Sequence, residues 1–204
     1  MNFLAHIFLS EGDEQVSIGN FMADAIKGSS YKKYALPLQK GILLHRAIDT
    51  YTDAHPTVRK STKRLHPKYH HYSGIIVDIL YDHFLAKNWS VYCKTPLADY
   101  VADFYALLEK NSDKLTPSIL QMMPYMIADN WLLSYAHIDG IATVLRNMDR
   151  RTKNNSGMRH AVEDLLDHYI AFEAEFTKFF SDLERFSAER LREIHQQFDI
   201  KNGQ

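Results

Sequence analysis

The stretch Gly41–Asp53, GILLHRAIDTYTD, decides the fold together with a second stretch, Ile75–Ala86, IIVDILYDHFLA. Both are apolar enough to be core helices, yet each carries His and Asp, whose burial is costly unless they are paired. Residues four apart share one face of a helix, as His45 and Asp49 do in the first stretch. The pattern predicts two helices that bring imidazoles and carboxylates together, either as a buried hydrogen-bonded network or as a metal or acid–base site.

Helical spacing dominates the rest of the chain, and alternating strand-like runs bounded by turn pairs are missing. We therefore expect an all-α fold, a single helical domain over residues 1–204, because this length suits one sizeable core. Caps, glycines and prolines place the boundaries. They predict helices at 2–9, 16–27, 37–53 and 57–65, a loop over 66–72, helices opening at Pro96 and at Pro117 with a bend or break at Pro124, and one long C-terminal helix after Gly157.

Composition narrows the class of protein. The single Cys93 allows neither a disulfide within the chain nor a cysteine-based metal site, which fits a reducing compartment. The apolar run near the start is short and lacks a basic leader, and no stretch approaches the roughly 18 apolar residues of a membrane span. We expect a cytoplasmic protein that binds neither membrane nor nucleic acid.

Charge is uneven along the chain although the formal net charge is only −1. No acidic residue occurs between Ala54 and Val77, and five Lys or Arg fall inside this range. We call four of them the basic window, which is either a solvated helix face or a docking site for an acidic partner. Its members are Arg59, Lys60, Lys63 and Arg64.

Several catalytic motifs are missing. The chain has no GxSxG elbow, no GxxxxGK[ST] phosphate loop and no GxGxxG turn, which disfavours serine hydrolases, NTPases and dinucleotide enzymes. Metal chemistry remains, because His and carboxylate ligands without Cys suit Mn²⁺ or Mg²⁺ better than a structural Zn²⁺. Such an ion activates water and neutralises phosphoryl oxygens, which predicts phosphoester hydrolysis. Arg46 either clamps the phosphate with its guanidinium or pairs with Asp49.

Two further groups of residues carry patterns that the motifs above do not explain. Asp129, Trp131, Tyr135, His137 and Asp139 form a mixed aromatic and polar run that either lines a cleft or belongs to an ordinary amphipathic helix. The C-terminal helix carries an apolar stripe at helical spacing, which we expect to be core. The stripe comprises Val162, Leu165, Tyr169, Phe172, Phe176, Phe179 and Leu183.

The residues also carry a resemblance to a known family. The opening MNFLAH, the segment Gly19–Asp24, the HRAID motif at 45–49 and Asp78 to Leu85 resemble the acyl carrier protein phosphodiesterases. The resemblance implies a fold related to the histidine–aspartate (HD) phosphohydrolases and a Mn²⁺-dependent enzyme. Its implied substrate is holo acyl carrier protein, from whose serine it removes 4′-phosphopantetheine. One departure from the HD superfamily is that Asp82-His83 reverses the order of its His-Asp pair.

Side-chain chemistry and the resemblance together assign roles. We predict metal contacts from His6, Asp24, His45 and Asp78, with Mn²⁺ the expected ion and Mg²⁺ the alternative. Asp49 and Asp82 are supporting carboxylates or alternative ligands, Arg46 is the phosphate clamp, and His83 is a proton donor or third imidazole ligand. The basic window docks the carrier protein. Two alternatives stay open: a metal-dependent phosphohydrolase for a nucleotide or other small phosphoester, and a non-catalytic helical binding module.

Overall fold

The structure is a computed structural model that describes residues 1–202, and within that range every regular element is a helix, which confirms the all-α prediction. The helices are α1 (Phe3–Phe8), α2 (Glu14–Phe21), α3 (Leu36–Ala54), α4 (Pro56–Tyr69), α5 (Ser73–Lys87), α6 (Trp89–Tyr92), α7 (Leu97–Lys110), α8 (Pro117–Ala128), α9 (Trp131–Ser134), α10 (Ile138–Arg151), α11 (Ala161–Asp167) and α12 (Tyr169–Asn202). Short 3₁₀ turns lie between some of them, and one of these, Ala23–Ala25, carries Asp24.

Helix α5 lies at the centre of the fold. It packs against α1, α4, α10 and α12, and most of its side chains are buried on every side. A helix that is apolar all round belongs in a core, which explains why its sequence shows almost no polar face. Its polar residues Asp82 and His83 are buried there too, so each needs a partner inside the protein.

Helices α2 and α3 approach each other very closely. A Cβ atom on Gly41 would lie 2.1 Å from the Val16 carbonyl oxygen, and one on Gly19 would lie 2.3 Å from the Leu38 carbonyl oxygen. No side chain larger than hydrogen fits such a contact between two backbones. The two glycines therefore fix the distance between the helix that carries Asn20 and the helix that carries His45.

Helix α12 supplies the aromatic part of the core. Phe172, Phe176, Phe179 and Leu183 have no exposed surface, which confirms most of the expected stripe. Ring contacts extend it, since Phe176 stacks on Phe180 at a centroid distance of 5.0 Å. This stripe packs along α3, α4 and α5.

Some predicted boundaries were wrong. Helix α4 continues through Pro67 to Tyr69 where a loop was expected, because buried Leu65 and Tyr69 hold the last turn in the core although Pro67 removes one backbone hydrogen bond. Helix α8 likewise passes through Pro124 and ends at Ala128 instead. The break there comes from Asn130, whose backbone is left-handed at φ 46°.

The C-terminal segment also differs from the prediction of one continuous helix. It divides at His168 into α11 and α12. Asp164 of α11 binds Lys68 and Tyr69 at the end of α4, whereas α12 runs along the length of α3 and α4. Helices α11 and α12 pack against different parts of the protein, so one straight helix could not make both sets of contacts.

No helix in residues 1–202 combines the length and apolarity that crossing a membrane requires.

Candidate metal centre

Two buried histidines form the middle of the site. His6 of α1 and His45 of α3 stack face to face, with ring centroids 4.0 Å apart and an interplanar angle of 21°. Both are almost fully buried, at 2% and 5% exposure. This arrangement is consistent with the prediction that these two imidazoles come together. They lie on α1 and α3, however, whereas the sequence pattern indicated that α3 and α5 would bring imidazoles and carboxylates together.

Asp49 bridges the two imidazoles. Its Oδ1 lies 3.2 Å from His6 Nε2, and its Oδ2 lies 3.0 Å from His45 Nε2. Asp24 approaches from the other side, with Oδ1 3.1 Å from the same His45 nitrogen. The i,i+4 spacing on α3 thus places His45 and Asp49 together as the sequence predicted, and Asp24 joins them from its 3₁₀ turn.

Asn20 determines how the His6 ring is oriented. Its side-chain oxygen lies 2.8 Å from His6 Nδ1, and its amide donates to the His6 carbonyl oxygen at 2.7 Å. If the His6 Nδ1–H donates to this oxygen, the lone pair of the ring lies on Nε2, which is the nitrogen that faces Asp49. Sequence reasoning gave Asn20 no role beyond its place in the segment Gly19–Asp24; the signal that could have found it is a polar amide within the apolar stretch that the structure buries in α2.

The two imidazoles differ in charge. Burial, together with the neighbouring His45, lowers the pKa of His6 to about 4. Burial also acts to lower the pKa of His45, but hydrogen bonds with Asp24 and Asp49 outweigh it and raise that pKa to about 9. Burial acts to raise the pKa of Asp49, yet its close contacts with the His45 and His6 rings bring the pKa well below the usual range. The hydrogen bond with His45 lowers the pKa of Asp24 as well.

The donor set fits a divalent cation. One ligand atom each from His6, His45 and Asp49 lie within 4.8 Å of one another. His6 Nε2, the nitrogen that faces Asp49, is buried without a geometrically satisfied hydrogen bond. A cation satisfies an unpartnered imidazole nitrogen and neutralises clustered carboxylates at the same time. Asp24 offers a further carboxylate oxygen next to this set.

The two aspartates predicted on α5 contact the start of the chain instead of the imidazoles. Asp78 lies 2.9 Å from the Met1 ammonium nitrogen. Asp82 is fully buried and accepts the backbone N–H groups of Leu4 at 2.8 Å and Asn2 at 3.3 Å. Burial raises the pKa of Asp82 to about 7. These three contacts all hold residues at or near the N-terminus of α1. Asp78 and Asp82 therefore position the helix that carries His6.

His83 and Arg46 also have partners outside the His6–His45–Asp49 cluster. His83 bonds through Nδ1 to the Tyr135 carbonyl at 2.7 Å and through Nε2 to the Tyr169 hydroxyl at 2.8 Å. Arg46 donates to the Ile26 carbonyl at 2.8 Å, and its guanidinium lies 5.2 Å from the centre of the Tyr31 ring. Arg46 thereby supports the segment just after Asp24, and no bond between Arg46 and Asp49 is formed.

The cluster lies in a large cleft. A cavity of about 1200 Å³ reaches His45, Asp24 and Asp49 on one wall and residues of α8, α9 and α10 on the other. Asp78 lines it as well. Of the mixed run left open above, Asp129, Trp131, Tyr135 and Asp139 line this cleft, which agrees with the cleft interpretation, whereas His137 is not among the lining residues.

The basic window lies on α4, beside α12. Arg64 donates both guanidinium nitrogens to Glu175 at 2.7 Å, and Lys60 lies 3.1 Å from the same carboxylate. Glu175 is buried, and its bonds with Arg64, Ser61 and Lys60 outweigh burial and lower its pKa to about 2. Half of the basic window therefore already has an acidic partner within the chain.

Comparison with known proteins gives a match over most of the chain. The profile described as acyl carrier protein phosphodiesterase matches residues 1–183. Relatives that bear this name come from Pectobacterium atrosepticum, 31% identical with 88% of this chain and 94% of the relative covered, and from Photorhabdus laumondii, 32% identical with 88% and 91% covered. One from Enterobacter is 30% identical, with 88% and 94% covered.

No solved structure matches the chain, so the relation to the HD phosphohydrolases stays a prediction. The profile match extends from the helix of His6 to the aromatic stripe of α12 and includes every residue of the imidazole–carboxylate cluster. On this ground the chain belongs to the acyl carrier protein phosphodiesterase family.

Proposed function

We propose that this protein is a metal-dependent phosphodiesterase that releases 4′-phosphopantetheine from the serine of holo acyl carrier protein. The observation that carries the proposal is the His6–His45–Asp49 cluster, which opens into a cleft much larger than a phosphate. The names of the relatives support the substrate. The matched region contains the whole cluster, which supports assigning the chemistry implied by those names to these residues.

In this proposal His6, His45 and Asp49 hold the cation, and Asp24 is the next available ligand. A bound divalent cation supplies an activated water and neutralises the phosphoryl oxygens. We propose Mn²⁺, because two imidazoles with carboxylates suit it better than Mg²⁺, which prefers oxygen ligands alone. Asn20 and Asp82 orient His6, the first through its ring and the second through the N-terminus of α1.

His83 receives a positioning role in this proposal. Both of its ring nitrogens are occupied by Tyr135 and Tyr169, and it is not among the residues that line the cleft. Asp78 lines the cleft but is paired with the Met1 ammonium, so we place it beside the metal ligands and not among them. Arg46 supports the Asp24 turn, and contact of Arg46 with a phosphate would require it to leave Ile26.

The test is incubation of purified holo acyl carrier protein with the enzyme and Mn²⁺, read by intact mass. We expect the carrier to lose the mass of phosphopantetheine with Mn²⁺ and to keep it in excess chelator. His45→Gln should abolish turnover, and His66→Gln, which changes an exposed histidine on α4, is the matched control. Turnover by His45→Gln at the wild-type rate would exclude the cluster as the catalytic centre.

A second candidate is hydrolysis of a nucleotide or another small phosphoester, which Trp131 favours because its ring lines the cleft and offers a surface for stacking a base. Release of phosphate from nucleoside monophosphates or cyclic nucleotides, without conversion of the carrier, would select it. A non-catalytic binding module would show neither activity.

Docking of the carrier on the basic window belongs to the same proposal. Arg59 and Lys63 are exposed and form no ion pair within the described residues, so they are the members available to an acidic protein. Lys60 and Arg64 contribute less, because Glu175 already binds them. A cytoplasmic location also stays part of the proposal, because the single Cys93 fits a reducing compartment.

A further inference from the structure

We propose that the part of the cleft lined by α8, α9 and α10 binds the organic arm of the phosphodiester, an extended alkyl chain that carries amide groups. The inference rests on the proposed function, in which this arm is pantetheine. It assigns a binding site to residues that the metal chemistry leaves without a role.

The space available exceeds what a phosphate and a metal ion require. The cleft encloses about 1200 Å³, whereas pockets for whole drug-sized ligands have roughly 300–1,000 Å³. It continues into a second cavity of about 510 Å³ that none of the cluster residues lines. The two cavities share Ser118, Met122, Asp129, Trp131, Asn147 and Arg151. A groove therefore leads from the imidazoles past these residues.

The chemistry of the groove fits an alkyl chain with neutral amides. Met122, Trp131 and Met148 supply apolar surface, and methionine adapts its shape to a flexible chain. Ser118, Thr143 and Asn147 supply neutral hydrogen-bonding groups on the same walls. A few polar groups in an apolar groove fix the orientation of a ligand whose amides need partners.

The charges of the groove oppose a polyphosphate in the same place. Asp129 and Asp139 line the cleft on this side, and Arg151 is the single Arg or Lys among the cleft-lining residues that the structure describes. Phosphate groups would need several cations or a cluster of N–H groups. A neutral arm meets no such requirement, so the groove favours pantetheine over a nucleoside diphosphate or triphosphate.

Tryptophan fluorescence tests the proposal without any turnover. The chain has only 2 Trp, and Trp89 is 4% exposed and does not line either cavity, so ligand in the groove is reported by Trp131. We expect pantetheine, which has no phosphate, to change the emission saturably at millimolar concentration, as about −4 kcal/mol of binding free energy gives. Trp131→Phe should remove the signal, and adenosine should give none.

Asn147→Phe is the informative variant. Asn147 is exposed on α10 and lines both cavities, so the substitution should fill the groove without disturbing the core. We expect it to weaken pantetheine binding and to raise KM for holo carrier by about tenfold each. Arg146→Phe changes the neighbouring exposed residue of α10, which lines neither cavity, and should leave pantetheine binding unchanged.

Three results would overturn the proposal: no saturable response to pantetheine in the wild type, equal binding by Asn147→Phe, or a response to adenosine in place of pantetheine. The conversion of holo carrier by the wild type separates this proposal from the proposed function. If the carrier is converted while pantetheine does not bind, only the arm site is wrong. If pantetheine binds while the carrier is not converted, the site stands and the proposed reaction falls.

Discussion

At the scale of single residues, Asn20 orients the His6 ring of the proposed metal site. We expect Asn20→Ala to lower Mn²⁺ affinity by roughly 10- to 100-fold, because the hydrogen bond that orients a ligand imidazole is lost. Isothermal titration calorimetry with Mn²⁺ measures this. Gln39→Ala, which removes an amide that also bonds backbone carbonyls but lies outside the site, is the control. Wild-type affinity in Asn20→Ala would show that the His6 ring is held by its stacking on His45 alone.

Substitution of two aspartates near the site should affect different properties: Asp24 should affect turnover, and Asp78 should affect thermal stability. Asp24 is 76% exposed at its side chain, so Asp24→Ala is expected to lower turnover while the melting temperature stays close to that of the wild type. Asp78→Ala leaves the buried Met1 ammonium without its partner and should lower the melting temperature. Thermal unfolding and carrier turnover, measured on both variants, give the comparison. A stable, fully active Asp78→Ala protein and an unstable Asp24→Ala protein would reverse these roles.

Sequence reasoning reached part of this site and could not reach the rest. The pairing of His45 with Asp49 follows from helical spacing alone. The contact of His6 with His45 depends on how α1 packs on α3, which local periodicity does not contain. The same limit explains Asp82, which was predicted as a supporting carboxylate or alternative ligand, while its partners are backbone N–H groups near the start of the chain. In each case the contact joins segments that lie far apart in the sequence, and local periodicity does not show which distant segments meet.

At the scale of helices, the glycine contact between α2 and α3 sets the geometry of the site. We expect Gly41→Ala to lower the free energy of unfolding by about 1–3 kcal/mol, because its Cβ meets the Val16 carbonyl at 2.1 Å and the helices must separate. Urea unfolding measures the change. Gly74→Ala on α5 has no atom within 4 Å of the new Cβ and should be neutral or stabilising, by up to about 1 kcal/mol. Equal effects of the two substitutions would contradict the close-contact argument.

The contact between α4 and α12 should make stability depend on pH. Glu175 has a pKa of about 2 in the folded protein, against about 4.3 for an unperturbed Glu. A lowered pKa stabilises the folded state above the unfolded value, and this contribution is lost as the pH falls from about 4.3 towards 2. We expect Glu175→Gln to lower the free energy of unfolding by about 3 kcal/mol at pH 7, since each pKa unit corresponds to about 1.4 kcal/mol.

Urea unfolding of the wild type and Glu175→Gln from pH 7 down to pH 2.5 checks this. The difference between the two proteins should shrink through the same pH range in which Glu175 takes up its proton. Lys60→Ala is the control, because Lys60 is 71% exposed at its side chain and its ion pair with Glu175 should contribute little. A difference between wild type and Glu175→Gln that does not change with pH would show that packing, not charge, is what Glu175 supplies.

The helix boundaries, like the site, depend on contacts between segments that lie far apart in the sequence as well as on local sequence patterns. Pro67 and Pro124 are helix-breaking signals in the sequence, and both lie inside helices. Burial of Leu65 and Tyr69 outweighs the single hydrogen bond that Pro67 removes. The break at His168 follows from the contact of Asp164 with the end of α4, which no local pattern announces. Fold class was predictable because apolar spacing is local; boundaries were not, because tertiary contacts decide them.

At the scale of the whole molecule, the proposed docking of a carrier protein, which the family resemblance implies is acidic, requires a basic surface. Two basic surfaces are available: Arg59 and Lys63 on α4, and the end of α10 with Arg146, Arg150, Arg151 and Lys153. The first is the predicted basic window, of which Lys60 and Arg64 bind Glu175. The second adjoins the cleft, since Arg151 lines it. Exposed charges at the edge of an interface mainly change the association rate and its salt dependence.

We predict that Arg59→Glu with Lys63→Glu raises KM for holo carrier and flattens its dependence on salt, while kcat stays near that of the wild type, because the substitutions lie outside the cleft. Steady-state kinetics between low and physiological ionic strength measure this. Lys110→Glu with Lys178→Glu changes the net charge equally at exposed positions elsewhere and is the control. If KM and its salt response keep their wild-type values in the first variant but change in Arg146→Glu with Arg150→Glu, the carrier docks on α10 and the basic window is only a solvated face of α4.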